Sequence, residues 1–179
     1  VCVCNASAIQ LTPTLATPMK RFDLMHQVNT RGTFAVAQAC LPHLLQSAHG
    51  RILVNSPPPD MSDRWWGAHV AYTLSKVGMS LVARGLAEEF RGKVAVNCLW
   101  PATGIATSAT RMLMGEAGLK GCRTPDIMAD AAHAVLTRGP DCTGNFFLDE
   151  DVVREEGVTD LERYAVDPAS PLVPDFFLD

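Results

Sequence analysis

No run of about 18 uninterrupted apolar residues occurs in this 179-residue sequence, so no helix that crosses a membrane is expected. Positive charge is not in excess. Fifteen Lys and Arg stand against 19 Asp and Glu, and a net charge of −4 offers no basic face for gripping nucleic acid. Cys-x-x-Cys does not occur, and the cysteines are scattered at positions 2, 4, 40, 98, 122 and 142, mostly inside apolar segments where a free thiol packs as a small hydrophobe. A disulfide framework belongs to shorter secreted chains, so reduced thiols and an intracellular protein are expected. The histidines pair with nothing at ligand spacing, and no metal site is expected. Internal repeats and low-complexity tracts are also missing. The opening Val1-Cys2-Val3-Cys4 has neither an initiator Met nor a basic n-region, so it reads as a chain entered in the middle and not as a signal peptide.

What remains is a core-rich composition. Large apolar residues and Cys supply 47% of the chain and charged residues 19%, which is globular and neither disordered nor fibrous. The pattern reads as alternating strands and helices. Val1 to Cys4 is a buried strand. Thr17-Pro18 caps a helix that runs to about Gln46, bent near Pro42. Arg51 to Asn55 is a second strand, broken by Ser56-Pro57-Pro58-Pro59 because proline cannot donate to a ladder. From about Ala68 to Phe90 the period is helical, with Val70, Leu74, Val77 and Leu81 on one stripe. Val94 to Leu99 is a third strand, stopped by Pro101. A short helix follows around Ser108 to Met114, another from Thr124-Pro125-Asp126 to about Leu136, and a fourth strand spans Asn145 to Leu148. Residues 151–179 hold one short acidic helix and end in a Phe176-Phe177-Leu178 cluster that docks on the core. Apolar strands alternating with helices predict an α/β fold in a single domain over 1–179. Its doubly wound parallel sheet is covered on both faces.

The sharpest chemical feature is Tyr72-Thr73-Leu74-Ser75-Lys76. Residues four apart on a helix share a face. An ammonium beside a phenol stabilises the phenolate and lowers the tyrosine pKa, and such a tyrosine can pass a proton to or from a carbonyl oxygen. The spacing also occurs in ordinary helices, where a surface tyrosine packs under a lysine stem. Context strengthens the chemical reading. Ser56 closes a buried strand, Asn5 ends the first strand and Asn29 lies in the helix between them. Ligands of parallel α/β sheets sit at that carboxyl edge. The bland reading of the same set is satisfied turn and capping residues.

In this order the segments resemble the short-chain dehydrogenase/reductase family. Cys4-Asn5-Ala6-Ser7 is similar to its Asn-Asn-Ala-Gly, Asp23 to Phe34 to its Asp…Val-Asn-x-x-Gly-x-Phe helix, Ile52 to Ser56 to its serine-bearing strand, and Tyr72 to Lys76 to its Tyr-x-x-x-Lys. Asn97 to Pro101, followed by Thr107, resembles its Asn-x-x-x-Pro-Gly…Thr. Details such as Ser56-Pro57-Pro58, Leu99-Trp100-Pro101 and the closing Pro174-Asp175-Phe176-Phe177-Leu178-Asp179 are closer to a hydroxysteroid dehydrogenase-like subgroup. The resemblance implies a Rossmann-like fold and hydride transfer between NAD(P) and a secondary alcohol or carbonyl. NADP is slightly preferred, and the small-molecule substrate is hydrophobic or lipid-like. It implies Tyr72 as general acid/base, Lys76 as the group that lowers its pKa and holds the nicotinamide ribose, Asn29 as keeper of a relay water, and Ser56 as a hydrogen-bond donor to substrate. Asn5 and Ala6 would line the cofactor floor, and Pro101 to Thr107 would cover the nicotinamide. A homodimer or homotetramer through the two long helices is implied as well, and a peroxisomal or mitochondrial setting.

The departures define the second reading. Cys4, Ser7 and Ala102 replace residues of the family pattern, and Ser56 lies sixteen residues before Tyr72, a wider gap than usual, with three prolines between. No Gly-rich turn follows a strand, so Val1 is expected to correspond to the fourth strand of the usual sheet, with the first three βα units absent. On that basis the alternative is a non-catalytic Rossmann-like module for binding or assembly.

Overall fold

The computed structural model describes residues 1–178. At its centre four strands, β1 (Cys2–Cys4), β2 (Arg51–Asn55), β3 (Ala95–Trp100) and β4 (Phe146–Leu148), pair in chain order. Every pairing is parallel, with Val3 opposite Leu53 and Leu53 opposite Asn97. β3 is buried along its whole length and β2 up to its last residue, as continuous apolar runs require when both faces of a parallel sheet are covered. Pro57 and Pro101, which lack an amide donor, follow close on the ends of these two strands.

One face carries Cys2, Cys4, Ile52, Val54, Val96 and Cys98. These pack against Ala37, Leu41 and Leu44 of α2 (Gly32–Leu44) and against Met79, Ala83 and Leu86 of α4 (Val70–Glu89). On the other face Leu53 and Leu99 meet Ile127, Ala131 and Val135 of α6 (Asp126–Thr137). Val152 and Val153 of α7 (Asp149–Glu155) join them, with Leu161 and Tyr164 beyond. Each fully buried aliphatic side chain in these layers contributes about 1.5–3 kcal/mol. The expected α/β doubly wound parallel sheet is therefore what forms.

Two helices differ from expectation. The first runs as α1 (Met19–His26), a π-helical turn (Gln27–Arg31) and α2, and it continues through Pro42 to Leu44. The irregularity lies at the π-turn and not at the proline. The second is split: α3 (Asp63–Ala68) precedes α4, and His69, at φ −145° and ψ 61°, breaks the helical path between them. On α4 the side chains of Val70, Leu74 and Leu81 are exposed, while Ala71, Tyr72, Ser75, Lys76 and Met79 are buried. The apolar stripe predicts the helix correctly, but of its four members only Val77 is buried, and the sheet is met by Met79, Ala83 and Leu86.

α5 (Ser108–Gly118) begins where Thr107 Oγ1 accepts from the Thr110 amide, and it kinks at Gly115, whose φ of 69° suits glycine. Beyond α7 the chain returns across the carboxyl edge as a strap. Gly121 O accepts from the Val173 amide, the Gly104 amide donates to Val173 O, and the Asp175 amide donates to Ala102 O. A side chain at Gly121 would meet Pro171 O at 2.8 Å, so only glycine admits the strap at this distance. Trp100 Nε1 fastens the end of the strap by donating to Phe176 O at 2.8 Å. Phe177 is buried against Trp65, Tyr72 and Trp100. Among the described residues all six cysteines are free, and no helix is long and apolar enough to cross a membrane.

Candidate active site

A cavity of about 440 Å³ opens at the carboxyl ends of the strands. The loop after β1 brings Asn5, Ser7 and Ile9 to its wall, the end of β2 brings Asn55, and α4 brings Tyr72 and Lys76. Trp100, Pro101 and Thr107 close it from the β3 side, and Asp175 and Phe176 from the strap. Ile105, Leu113 and Met128 make an apolar end.

Lys76 is 2% exposed, and its Nζ donates to the Asn55 carbonyl at 2.8 Å while lying 4.7 Å from the centre of the Trp100 ring. Burial pulls its pKa down to about 8, against the attraction of Asp175 and then Cys98, so the ammonium is largely charged at neutral pH. Burial pushes Asp175 up to about 7. The Phe176 amide, donating to the carboxylate at 2.6 Å, works against that rise, Asp149 adds to it and Lys76 opposes it.

Tyr72 departs from the expectation. Burial first, and the Asp175 charge second, hold its phenol above the usual tyrosine value. The expected lowering by Lys76 is corrected: the ammonium is spent on the Asn55 carbonyl and the Trp100 face, and a carboxylate shares the space. The phenol therefore stands protonated and ready to donate.

The structure brings Tyr72, Lys76, Asn5, Pro101 and Thr107 together on one wall. It does not bring Ser56 there. Ser56 is fully buried, with Oγ donating to Cys98 Sγ at 3.3 Å on the α2–α4 side of the sheet, so the expectation that it meets substrate is corrected. Ala6 is exposed and off the wall, between Asn5 and Ser7, which are on it. Asn29 is buried outside the cavity as a clasp. Its Oδ1 accepts from the Ala8 amide at 2.7 Å, and its Nδ2 donates to Ala8 O and Ser75 Oγ, both at 2.9 Å. Through these bonds the π-turn fixes the Asn5 loop to the helix that carries Tyr72.

Several wall residues escaped the sequence reading, among them Asn55, Trp100, Asp175 and Phe176. Asn55 carried a signal, since like Asn5 it is a polar residue closing an apolar strand. Asn55 Nδ2 donates to Asn5 Oδ1 at 2.9 Å, and the Asn55 Oδ1 is buried without a partner.

The profile of a family described as Enoyl-(Acyl carrier protein) reductase matches residues 1–131. Over all 179 residues the chain is 53% identical to Hydroxysteroid dehydrogenase-like protein 2 of Xenopus tropicalis and 50% identical to that of Homo sapiens. Each match takes in 100% of this chain and 43% of the relative, so the chain spans less than half the length of these proteins. Among solved structures, a candidate dehydrogenase from Xanthomonas campestris is 59% identical with a TM-score of 0.94, covering 99% of this chain and 65% of that one. A short chain dehydrogenase from Mycobacterium thermoresistibile is 44% identical with a TM-score of 0.92, covering 99% and 64%.

Proposed function

The chain belongs to the short-chain dehydrogenase/reductase family, and from that premise we propose that it carries the proton-transfer half of an NAD(P)-dependent oxidoreductase acting on a secondary alcohol or its carbonyl. The observation that carries the reading is the pair Tyr72 and Lys76, side by side on one cavity wall at the carboxyl edge of a parallel sheet.

The cavity fits a nicotinamide riboside. The partnerless Asn55 Oδ1 is an acceptor for a ribose hydroxyl, and the Lys76 ammonium on the same residue's carbonyl is a donor to it. Lys76 and Asn55 would hold the ribose, with Asn5 beside them and Pro101 and Thr107 bordering the ring. The bound nucleotide would supply or take up the hydride. Tyr72, protonated, donates to the carbonyl oxygen, and in the opposite direction receives the alcohol proton. Trp100 and Phe176 present aromatic surface at this point, and the apolar end formed by Ile105, Leu113 and Met128 supports a hydrophobic substrate. Exposed Phe34 and Val36 on α2 and Leu74 and Leu81 on α4 support assembly as a homodimer or homotetramer.

Tyr72→Phe in the full-length protein tests the reading. General acid catalysis contributes about 10²–10⁴-fold, so turnover should fall by that factor while NADH and NADPH titrations by fluorescence stay nearly unchanged. Retention of more than about a tenth of the wild-type rate would refute the role of the phenol.

A further inference from the structure

Among the described residues Asp175 is the one carboxylate on the cavity wall, and it arrives from a segment far from the motif residues. The strap places it deliberately. Its amide is tied to Ala102 O, the preceding Pro174 bridges to Thr103, and the following Phe176 carbonyl is held by Trp100 Nε1. One carboxylate oxygen accepts from the Phe176 amide. Two residues on, Phe177 adopts φ 67°, a left-handed conformation that a bulky side chain rarely takes. Such strain persists where the surroundings over-determine it and clusters at functional sites. Four groups face Asp175 electrostatically: Tyr72 and Lys76 from α4, Asp149 from the start of α7, and Cys122 from the turn before α6.

We infer that Asp175 is a positioning and specificity-determining residue of this site: its carboxylate counterbalances the Lys76 ammonium inside the cavity and turns away ligands that carry a negative charge beside the group presented to Tyr72. Without it the cavity would hold a buried, largely uncompensated cation and would attract carboxylates. With it, an incoming anion meets a carboxylate in a partly water-excluded space, where charge interactions are stronger than in bulk water. Asp149, off the wall, works the other way, favouring the protonated form of Asp175. Asp149 Oδ1 is taken by the Ala102 and Glu150 amides, and its Oδ2 is buried without a partner. A ketone, an ester or an alcohol with an uncharged flank loses nothing. The Asp175 carboxylate adds to the burial that raises the Tyr72 phenol. The inference rests on the proposed function only in taking Tyr72 as the group that meets substrate.

Asp175→Asn removes the charge and keeps an acceptor for the Phe176 amide, and Asp175→Glu restores the charge. Two readouts need no turnover. In the first, alkaline titration of tyrosinate absorbance, with each protein's Tyr72→Phe counterpart subtracted, isolates Tyr72. Its midpoint should move to lower pH in Asp175→Asn and return in Asp175→Glu. In the second, tryptophan fluorescence at pH 8, above the Asp175 value of about 7, reads binding of hexanoate and of methyl hexanoate. Hexanoate should bind about tenfold more tightly to Asp175→Asn than to wild type, as expected for removal of one nearby like charge, with the ester little changed. A Tyr72 midpoint that does not move, or equal hexanoate affinity in the two proteins, overturns the inference. So does a matching gain for the ester, which would mark mere loosening of the strap. Failure of the oxidoreductase reading is seen separately, as turnover retained by Tyr72→Phe.

Discussion

Replacing Phe177 by glycine and by alanine separates two opposing effects of one residue. The ring is 3% exposed, with its centroid 6.1 Å from that of Tyr72, 5.6 Å from Trp65 and 5.9 Å from Trp100. Removing such a ring costs about 3–5 kcal/mol in either variant. The backbone at φ 67° costs an L-residue about 1–2 kcal/mol, a penalty that alanine keeps and glycine sheds. Glycine loses about 0.5–1 kcal/mol of that gain to its freer unfolded chain. Phe177→Gly should therefore be as stable as Phe177→Ala or more stable, by up to about 1.5 kcal/mol, the reverse of the usual order. Urea unfolding followed by tryptophan fluorescence measures the difference, and Trp65 and Trp100 lie next to the change. Both variants should also ionise Tyr72 at lower pH, because uncovering the phenol removes the main cause of its raised pKa. An alanine variant clearly more stable than the glycine variant would refute the strain at this position.

Ser56→Ala breaks only a hydrogen bond to a thiol and should cost about 1 kcal/mol or less in the same unfolding experiment, with turnover largely kept. Near-total loss of turnover would show that the serine swings into the cavity during the reaction. The pH dependence has a defined sign. Asp175 sits at about 7 and Asp149 at about 6 in the fold, against 3.8 for an ordinary aspartate, so the folded state binds their protons more tightly than the unfolded chain does. Their stabilising contribution is complete below about pH 4 and is lost as pH rises through about 6 to 7. Asp175→Asn should accordingly gain stability relative to wild type across that window. A constant offset between the two urea midpoints from pH 4 to pH 8 would contradict the assignment.

The strands were legible because each is a short, mostly apolar run with proline or asparagine at or next to one end, and a parallel sheet buried on both faces favours that pattern. Tyr72 and Lys76 were legible because one helical turn fixes their common face. Ser56 was misread by a single position. Side chains alternate at the end of a strand, so Asn55 looks into the cavity while Ser56 looks into the core behind it. Asp175 could not be found by spacing, since a strap that crosses the carboxyl edge brings it in from the far end of the sequence. The direction of the Tyr72 shift was out of reach for a related reason. It depends on burial under Phe176 and Phe177 and on a carboxylate whose place no local pattern encodes.

The π-turn at Gln27–Arg31 makes the length of its helix a fixed quantity. Deleting one residue there would leave a perfectly regular α-helix, so local propensity would not resist the change. Every side chain before the deletion would nevertheless turn by about 100° relative to those after it. Met25, 1% exposed beside Tyr72 and Trp100, would be carried out of its packing, or else Ala37 and Leu41 would leave the sheet. Substitutions in this stretch are answerable one side chain at a time, whereas a one-residue gap sets the two halves of the helix against each other. Among homologous chains, an alignment gap at 27–31 should therefore mark a protein in which the Asn29 clasp, and with it the hold on the Asn5 loop, has been abandoned.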